Sequence, residues 1–217
     1  MEMRKDILAK AAIAMIVLFA ASLYVGYAIE SDNYAKVEDR INGFQDELEN
    51  ALLFTMFLQT HNESASVCSA LSAQLEDSAQ YTYDIYGELE QSKGGVFRQY
   101  ETLRSKYFLA NMRFYLLLRQ YKQACNDTAL EPILFFYSAQ SDCPSCAAQG
   151  KVLDDLRASC GNARVYAFPV DVQGVSMIKA FKSYYNITST PALVIRDRTY
   201  QQLEGKDSIA AKIGCAG

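Results

Sequence analysis

The run Ile133-Leu134-Phe135-Phe136-Tyr137 leads into Cys143-Pro144-Ser145-Cys146, and a Thr190-Pro191 pair follows about forty-five residues later. An apolar run of this length followed by two cysteines spaced by two residues predicts a strand and then a dithiol on the first turn of a helix. Cysteines at that spacing can close a disulfide within one turn. The helix N-terminus stabilises the thiolate of the first. A thiolate that can be expelled and recaptured is the machinery of thiol–disulfide exchange. Zinc is a weaker reading, because a structural zinc needs four ligands, normally supplied as two such pairs. Cys68, Cys125, Cys160 and Cys215 are isolated from one another, and His61 is the sole histidine. An inert structural pair is the remaining alternative.

The chain has 217 residues, half of them apolar, which is enough for one or two domains with a real core. A net charge of −4 and the lack of any basic stripe argue against a nucleic-acid partner. There is no Trp, and the 15 Tyr fall mainly in helical-looking segments, where they read as packing residues with a polar tip.

From Ala11 to Ile29 there is no charge, and the stretch is long enough to cross a bilayer as a helix. Arg4, Lys5 and Lys10 precede it and Glu30 and Asp32 follow it. The basic flank predicts a cytoplasmic N-terminus, so residues 1–30 are expected to be a single-pass anchor with the remainder extracytoplasmic. A cleaved signal peptide ending near Gly26-Tyr27-Ala28 is the competing reading. Under either, the cysteines lie in an oxidising compartment.

Residues 31–127 carry helical periodicity. Val37, Ile41, Phe44, Leu48 and Leu52 form one stripe, and Val67, Leu71, Leu75, Ile85 and Leu89 a second. Val96, Tyr100, Leu103, Tyr107, Ala110, Phe114, Leu117 and Tyr121 alternate steps of four and three, the signature of a helix seam. Breaks are expected at His61-Asn62-Glu63-Ser64 and Ser92-Lys93-Gly94-Gly95. Three helices follow: the first continuous with the anchor, the second and third an antiparallel, coiled-coil-like hairpin. Each of the last two, at roughly 28 residues, spans about 40 Å. A stalk holding the next domain off the membrane is the simplest role, and a docking surface the alternative. An antiparallel hairpin brings Cys68 and Cys125 to one end, where a disulfide is expected; a relay pair serving Cys143–Cys146 is the sharper possibility.

Residues 128–217 alternate between the two periods. Strands are expected at Ile133–Ser138, Arg164–Val172, Pro191–Arg196 and Thr199–Leu203. Helices are expected at Ala147–Ala158, Ser176–Tyr185 and Asp207–Cys215, with Met177, Ile178 and Phe181 turned inward. This order predicts an α/β unit: a mixed sheet with helices on both faces.

At this level the last 87 or so residues resemble the thioredoxin superfamily. The resemblance rests on strand–Cys143-Pro144-Ser145-Cys146–helix, Asp171 at the end of the next strand, Thr190-Pro191 opening the third, and Gly205 before the last helix. No long helical insertion interrupts Val172 to Pro191, which looks more like thioredoxin itself or membrane-tethered extracytoplasmic thioredoxins than like the Dsb-type oxidases with their inserted helical domain, whereas Pro144 resembles those oxidases and glutaredoxins. Tyr137 stands where thioredoxins usually carry a buried Asp, and Asp142 where they carry a Trp. The resemblance implies that Cys143 is the exposed nucleophile and Cys146 the resolving thiol, with Pro144 and Ser145 supporting the turn. It implies a cis Pro191 that leaves the Thr190 backbone free to pair with an extended substrate. It also places Cys160 and Cys215 at the pole opposite the dithiol, where a structural disulfide is expected.

The expected function is a membrane-anchored extracytoplasmic protein thiol–disulfide oxidoreductase, needing no metal or organic cofactor. Its substrates would be cysteine-containing exported proteins, and a membrane redox partner would reset the dithiol. The direction of electron flow is not legible. The alternative from another class is a non-catalytic thioredoxin-like binding or scaffold protein with the dithiol locked shut.

Overall fold

The computed structural model describes residues 2–60, 65–92, 97–128, 130–139 and 141–215. It is mostly helical, with a small mixed sheet confined to the C-terminal part. One unbroken helix, α1 (Glu2–Thr60), runs from the N-terminus through the apolar stretch into the helical region. Every residue from Ala11 to Ile29 is exposed. The stretch is long and apolar enough to cross a membrane, a criterion that a signal sequence also meets. Two further helices follow, α2 (Ala65–Gln91) and α3 (Phe97–Ala124). The expected breaks at His61–Ser64 and Lys93–Gly95 lie outside the described residues, as does Val96.

These three helices form an up–down–up bundle, and the apolar stripes read from the sequence are its seam. Arg40 pairs with Glu88, and Ser78 donates to Glu47 at 3.0 Å, so α1 and α2 run antiparallel. Lys106 pairs with Glu38, and the Phe44 and Phe114 rings meet edge-on at 5.8 Å, so α1 and α3 run parallel. The α1 stripe needs one correction. Leu52 is 41% exposed, and Ala51 and Thr55 take the inward positions after Leu48. Two successive steps of four run ahead of the 3.6-residue turn, and the step of three to Ala51 restores the phase.

The sheet comprises β1 (Glu131–Tyr137), β2 (Ala163–Pro169), β3 (Ala192–Ile195) and β4 (Arg198–Tyr200), in the order β2-β1-β3-β4. β1 and β2 are parallel, with Glu131 opposite Ala163, and β3 runs antiparallel to both β1 and β4. The last two strands are shorter than expected. Pro191 has no N–H to give a ladder, and Arg196 and Asp197, both at positive φ, form a two-residue hairpin turn.

Alternation along the strands sends side chains to two cores. Ile133, Phe135, Leu193 and Ile195 face α4 (Pro144–Ser159) and α6 (Lys206–Ile213). Leu134, Phe136, Tyr166, Phe168 and Val194 face α5 (Ser176–Tyr184) and α3. Within α5 Ile178 is buried and Phe181 packs against the core, whereas Met177, expected inward, is 38% exposed. It lies one residue, about 100°, off the side that Ile178 presents to the sheet.

The seam of the bundle and this second face of the sheet form one apolar cluster. Phe114 and Tyr115 each meet the Tyr166 ring edge-on at 5.5 Å, and Phe108 reaches Phe168 at 6.4 Å. At the far edge, Arg119 donates twice to Asp197, at 2.7 and 3.2 Å, with Tyr185 donating to the same carboxylate at 3.1 Å. The helical region therefore lies along the sheet rather than standing clear of it as a stalk. Aromatic residues on α3 supply apolar area that neither unit could leave in water.

Candidate functional site

The dithiol sits where β1 gives way to α4. After Tyr137 the chain turns, with the Asp142 and Cys143 N–H groups donating to Ala139 O at 2.9 and 3.0 Å. Cys143 is the N-cap of α4 and Pro144 opens its first turn. A proline is tolerated there because its missing N–H would have no intrahelical partner. The Cys146 N–H donates to Cys143 O at 3.1 Å, and the two cysteines are joined as a disulfide with their Cα atoms 5.3 Å apart.

Register brings the proline loop to the same end of the sheet. Ala192 lies opposite Phe136, so Thr190 and Pro191 fall beside the end of β1. The Thr190–Pro191 peptide is cis. The Thr190 and Ser138 hydroxyls lie 2.8 Å apart, linking this loop to the segment that leads into the dithiol. Gln201 Oε1 accepts from the Thr188 and Ser189 N–H groups at 2.7 and 2.9 Å, fixing the approach to the proline. Asp171 lies two residues beyond β2, where Arg104 reaches it at 3.6 Å.

One expectation is corrected. Cys143 is only 1% exposed and Cys146 6%, so the first cysteine is not the open one. Both face a cavity of about 570 Å³ whose opposite wall comes from the helical region: Tyr83, Tyr86 and Glu90 of α2, Tyr107 and Asn111 of α3. β2 is an edge strand, and α2 covers that edge. The Tyr83 hydroxyl donates to Val165 O at 3.2 Å, the Arg157 guanidinium stacks 3.5 Å from the Tyr83 ring, and Arg164 pairs with Glu76. One carbonyl of the strand edge is thus capped by a side-chain hydroxyl of α2, whose ring also lines the dithiol cavity.

The phenols of the wall are protonated. Burial pushes the Tyr83, Tyr86, Tyr107, Tyr137 and Tyr166 phenols above their ordinary value. Tyr137 occupies the position expected to lack a carboxylate, and as a phenol with a raised pKa it donates hydrogen bonds rather than removing protons. Two buried polar atoms on residues of the cavity wall have no partner: Asn111 Oδ1 and the Tyr166 hydroxyl.

The other cysteines pair as expected. Cys160, the C-cap of α4, bonds to Cys215 after α6, and Cys68 bonds to Cys125. The second pair sits at the far end of the hairpin, in a separate surface depression that shares no lining residue with the dithiol cavity. Cys68 precedes Ala79, the first α2 residue lining the dithiol cavity, by 11 residues, about 16 Å along the helix, which gives a relay no support. Among the described residues no group of three or more His, Cys, Asp or Glu side chains is arranged to hold a metal.

Tyr83, Tyr86 and Asn111 escaped the sequence reading. Tyrosines on α2 register as packing, and only Asn111, next to Ala110 on the α3 stripe, was a discordant signal. Comparison with protein-family models and with curated proteins found no match.

Proposed function

We propose that this chain is a thioredoxin-like thiol–disulfide oxidoreductase held at the extracytoplasmic face of a membrane by α1. Cys143 exchanges with substrate and Cys146 resolves the mixed disulfide. The observation that carries the reading is a disulfide closed across the first turn of α4, with the cis-proline loop at the same end of the sheet. A helix N-terminus favours the thiolate of its N-cap cysteine, and that thiolate is the better leaving group and nucleophile. Cysteine-containing exported proteins are the proposed substrates, with α2 swinging off the β2 edge to admit them, and a membrane redox partner resets the pair. The test is trapping. Cys146→Ser should accumulate mixed disulfides through Cys143, and Cys143→Ser should abolish exchange. Wild-type turnover by Cys143→Ser would refute the assignment.

The burial of Cys143 favours a second reading, a scaffold whose dithiol is locked. The reduction potential separates the two. A pair that equilibrates with a thiol buffer while the chain stays folded is an exchanging pair. One reduced only on unfolding is structural.

A further inference from the structure

The cavity poses a chemical question that exchange with protein cysteines leaves unanswered. A protein substrate cannot reach a cysteine that is 1% exposed until α2 moves, whereas a small molecule can occupy the space beside it. A volume of about 570 Å³ falls within the ordinary range for small-molecule sites. Asn111 and Tyr166, residues 4% and 2% exposed, line this space, and the Asn111 Oδ1 and Tyr166 hydroxyl atoms have no protein partner. Buried polar atoms are normally satisfied, so a pair of orphans on one cavity wall marks the place of a ligand's polar atoms. Asn111 Oδ1 asks for a donor and Tyr166 can give or accept. The wall carries two carboxylates, Asp154 and Glu90, the latter accepting from the Tyr100 hydroxyl at 3.0 Å, against one cation, Arg164, already paired with Glu76, so its charge disfavours anions.

We infer that the cavity admits a low-molecular-weight thiol that lacks carboxylates and carries a hydroxyl or amide donor, and that this thiol reduces the Cys143–Cys146 disulfide without opening the helical cover. The inference rests on the exchange reading above. In the first step the incoming sulfur attacks Cys143 Sγ; the Sγ–Sγ bond breaks and Cys146 leaves, taking up the proton released by the thiol. A second molecule attacks the ligand sulfur of the mixed disulfide and expels Cys143. Two thiols become one small disulfide, and the protein gains two electrons and two protons.

The test uses the oxidised full chain in detergent. Reduction of Cys143–Cys146, followed by alkylation and peptide mapping, is timed with 2-mercaptoethanol, with the equally small but anionic 3-mercaptopropionate, and with glutathione. Rates are corrected for thiolate fraction and for reaction with a small model disulfide. The neutral thiol should exceed both anionic ones by about tenfold, the scale of one unfavourable contact. Gly150→Leu should remove this advantage by filling the cavity. A Cβ there meets nothing nearer than Phe135 Cε1 at 4.0 Å, so the helix itself tolerates it. Asn111→Leu, which caps the polar wall, is the second variant should Gly150→Leu fail to fold. Equal corrected rates in the wild type would overturn the inference, as would an advantage unmoved in the folded variants, while leaving exchange itself intact. Failure of all three thiols to reduce the folded chain would sink the exchange reading and this inference together.

Discussion

Removing the Tyr83 side chain should open the dithiol to large reagents. The contacts that hold α2 on the β2 edge at this point are few and can be summed. The hydroxyl donates to Val165 O at 3.2 Å, a net contribution of about 1 kcal/mol. The Arg157 guanidinium, 3.5 Å from the ring, adds about 1 kcal/mol. The half-buried ring supplies about 1 kcal/mol of apolar burial. Together these give about 3 kcal/mol, or somewhat over a hundredfold in the population of the opened cover, as an upper limit. The assay compares alkylation of reduced Cys143 by a maleimide carrying a large polymer with alkylation by N-ethylmaleimide. Where opening is fast relative to labelling, the rate of the large reagent follows the open population, whereas the small one also enters through the cavity. Tyr83→Ala should therefore raise the large-to-small rate ratio by up to about a hundredfold. Tyr83→Phe, which loses only the hydrogen bond, should raise it about fivefold. A ratio within twofold of wild type in Tyr83→Ala would refute the view that α2 is the barrier.

Three further outcomes follow from other parts of the molecule. Replacing Cys160 and Cys215 together by Ala releases a crosslink spanning 55 residues and should lower unfolding stability by about 4 kcal/mol in the chain-entropy account, read as a lower denaturant midpoint with a steeper slope, because the freed unfolded chain is less compact. Asp197 has its carboxyl held below the ordinary value of 3.8 by hydrogen bonds from Arg119, reinforced by Tyr185. A lowered folded pKa means stability that is present above the unfolded value and is lost as pH falls through the folded one. Wild type should exceed Asp197→Asn in stability at neutral pH, by a modest margin because the pair is half exposed, and the gap should close below about pH 4. A reporter active only outside the cytoplasm, fused after Gly217, should be active, and activity only of a cytoplasmic reporter there would reverse the proposed topology.

The parts of this molecule governed by short-range rules were legible in its sequence. The seam residues Tyr100, Leu103, Tyr107, Phe114 and Tyr121 are all buried because a 3.6-residue period and an apolar stripe leave a helix one way to face. The pairing of Cys68 with Cys125 followed from hairpin geometry and an oxidising compartment, since two antiparallel helices bring together positions whose distances from the turn differ by only about five residues, or about 7 Å. What periodicity does not encode is what a second face packs against. Phe108 and Tyr115 lie off the seam of α3 and are nevertheless buried, and it is they that reach Phe168 and Tyr166 across the sheet. A helix with one apolar stripe is a hairpin partner; a helix with two is a layer between a bundle and a sheet. That second stripe is present in the sequence at Phe108, Met112, Tyr115 and Leu118, spaced by four, three and three, and all four are buried.

The burial of Cys143 follows from the same second stripe. A cysteine at a helix N-terminus is accessible only when the space beyond that terminus is empty. Here the two apolar faces of α3 clamp the hairpin to the sheet, and the sheet edge beside the dithiol is then the surface α2 must cover. Covering it costs the β2 carbonyls their water, and Tyr83 offsets that loss at Val165 O with its hydroxyl. The cover is therefore held by polar contacts at its rim and by apolar contacts at its root. Root contacts between α3 and the sheet should survive conditions that break the rim, which makes the α2 edge, rather than the whole hairpin, the element that moves. The prediction is a hydrogen-exchange pattern. The amides of residues 80–90 should gain exchange in Tyr83→Ala while those of residues 107–118 keep their protection, because the α3 stripe stays buried. Equal loss of protection in both segments would mean that the hairpin lifts as one body and that the rim contacts carry no separate role.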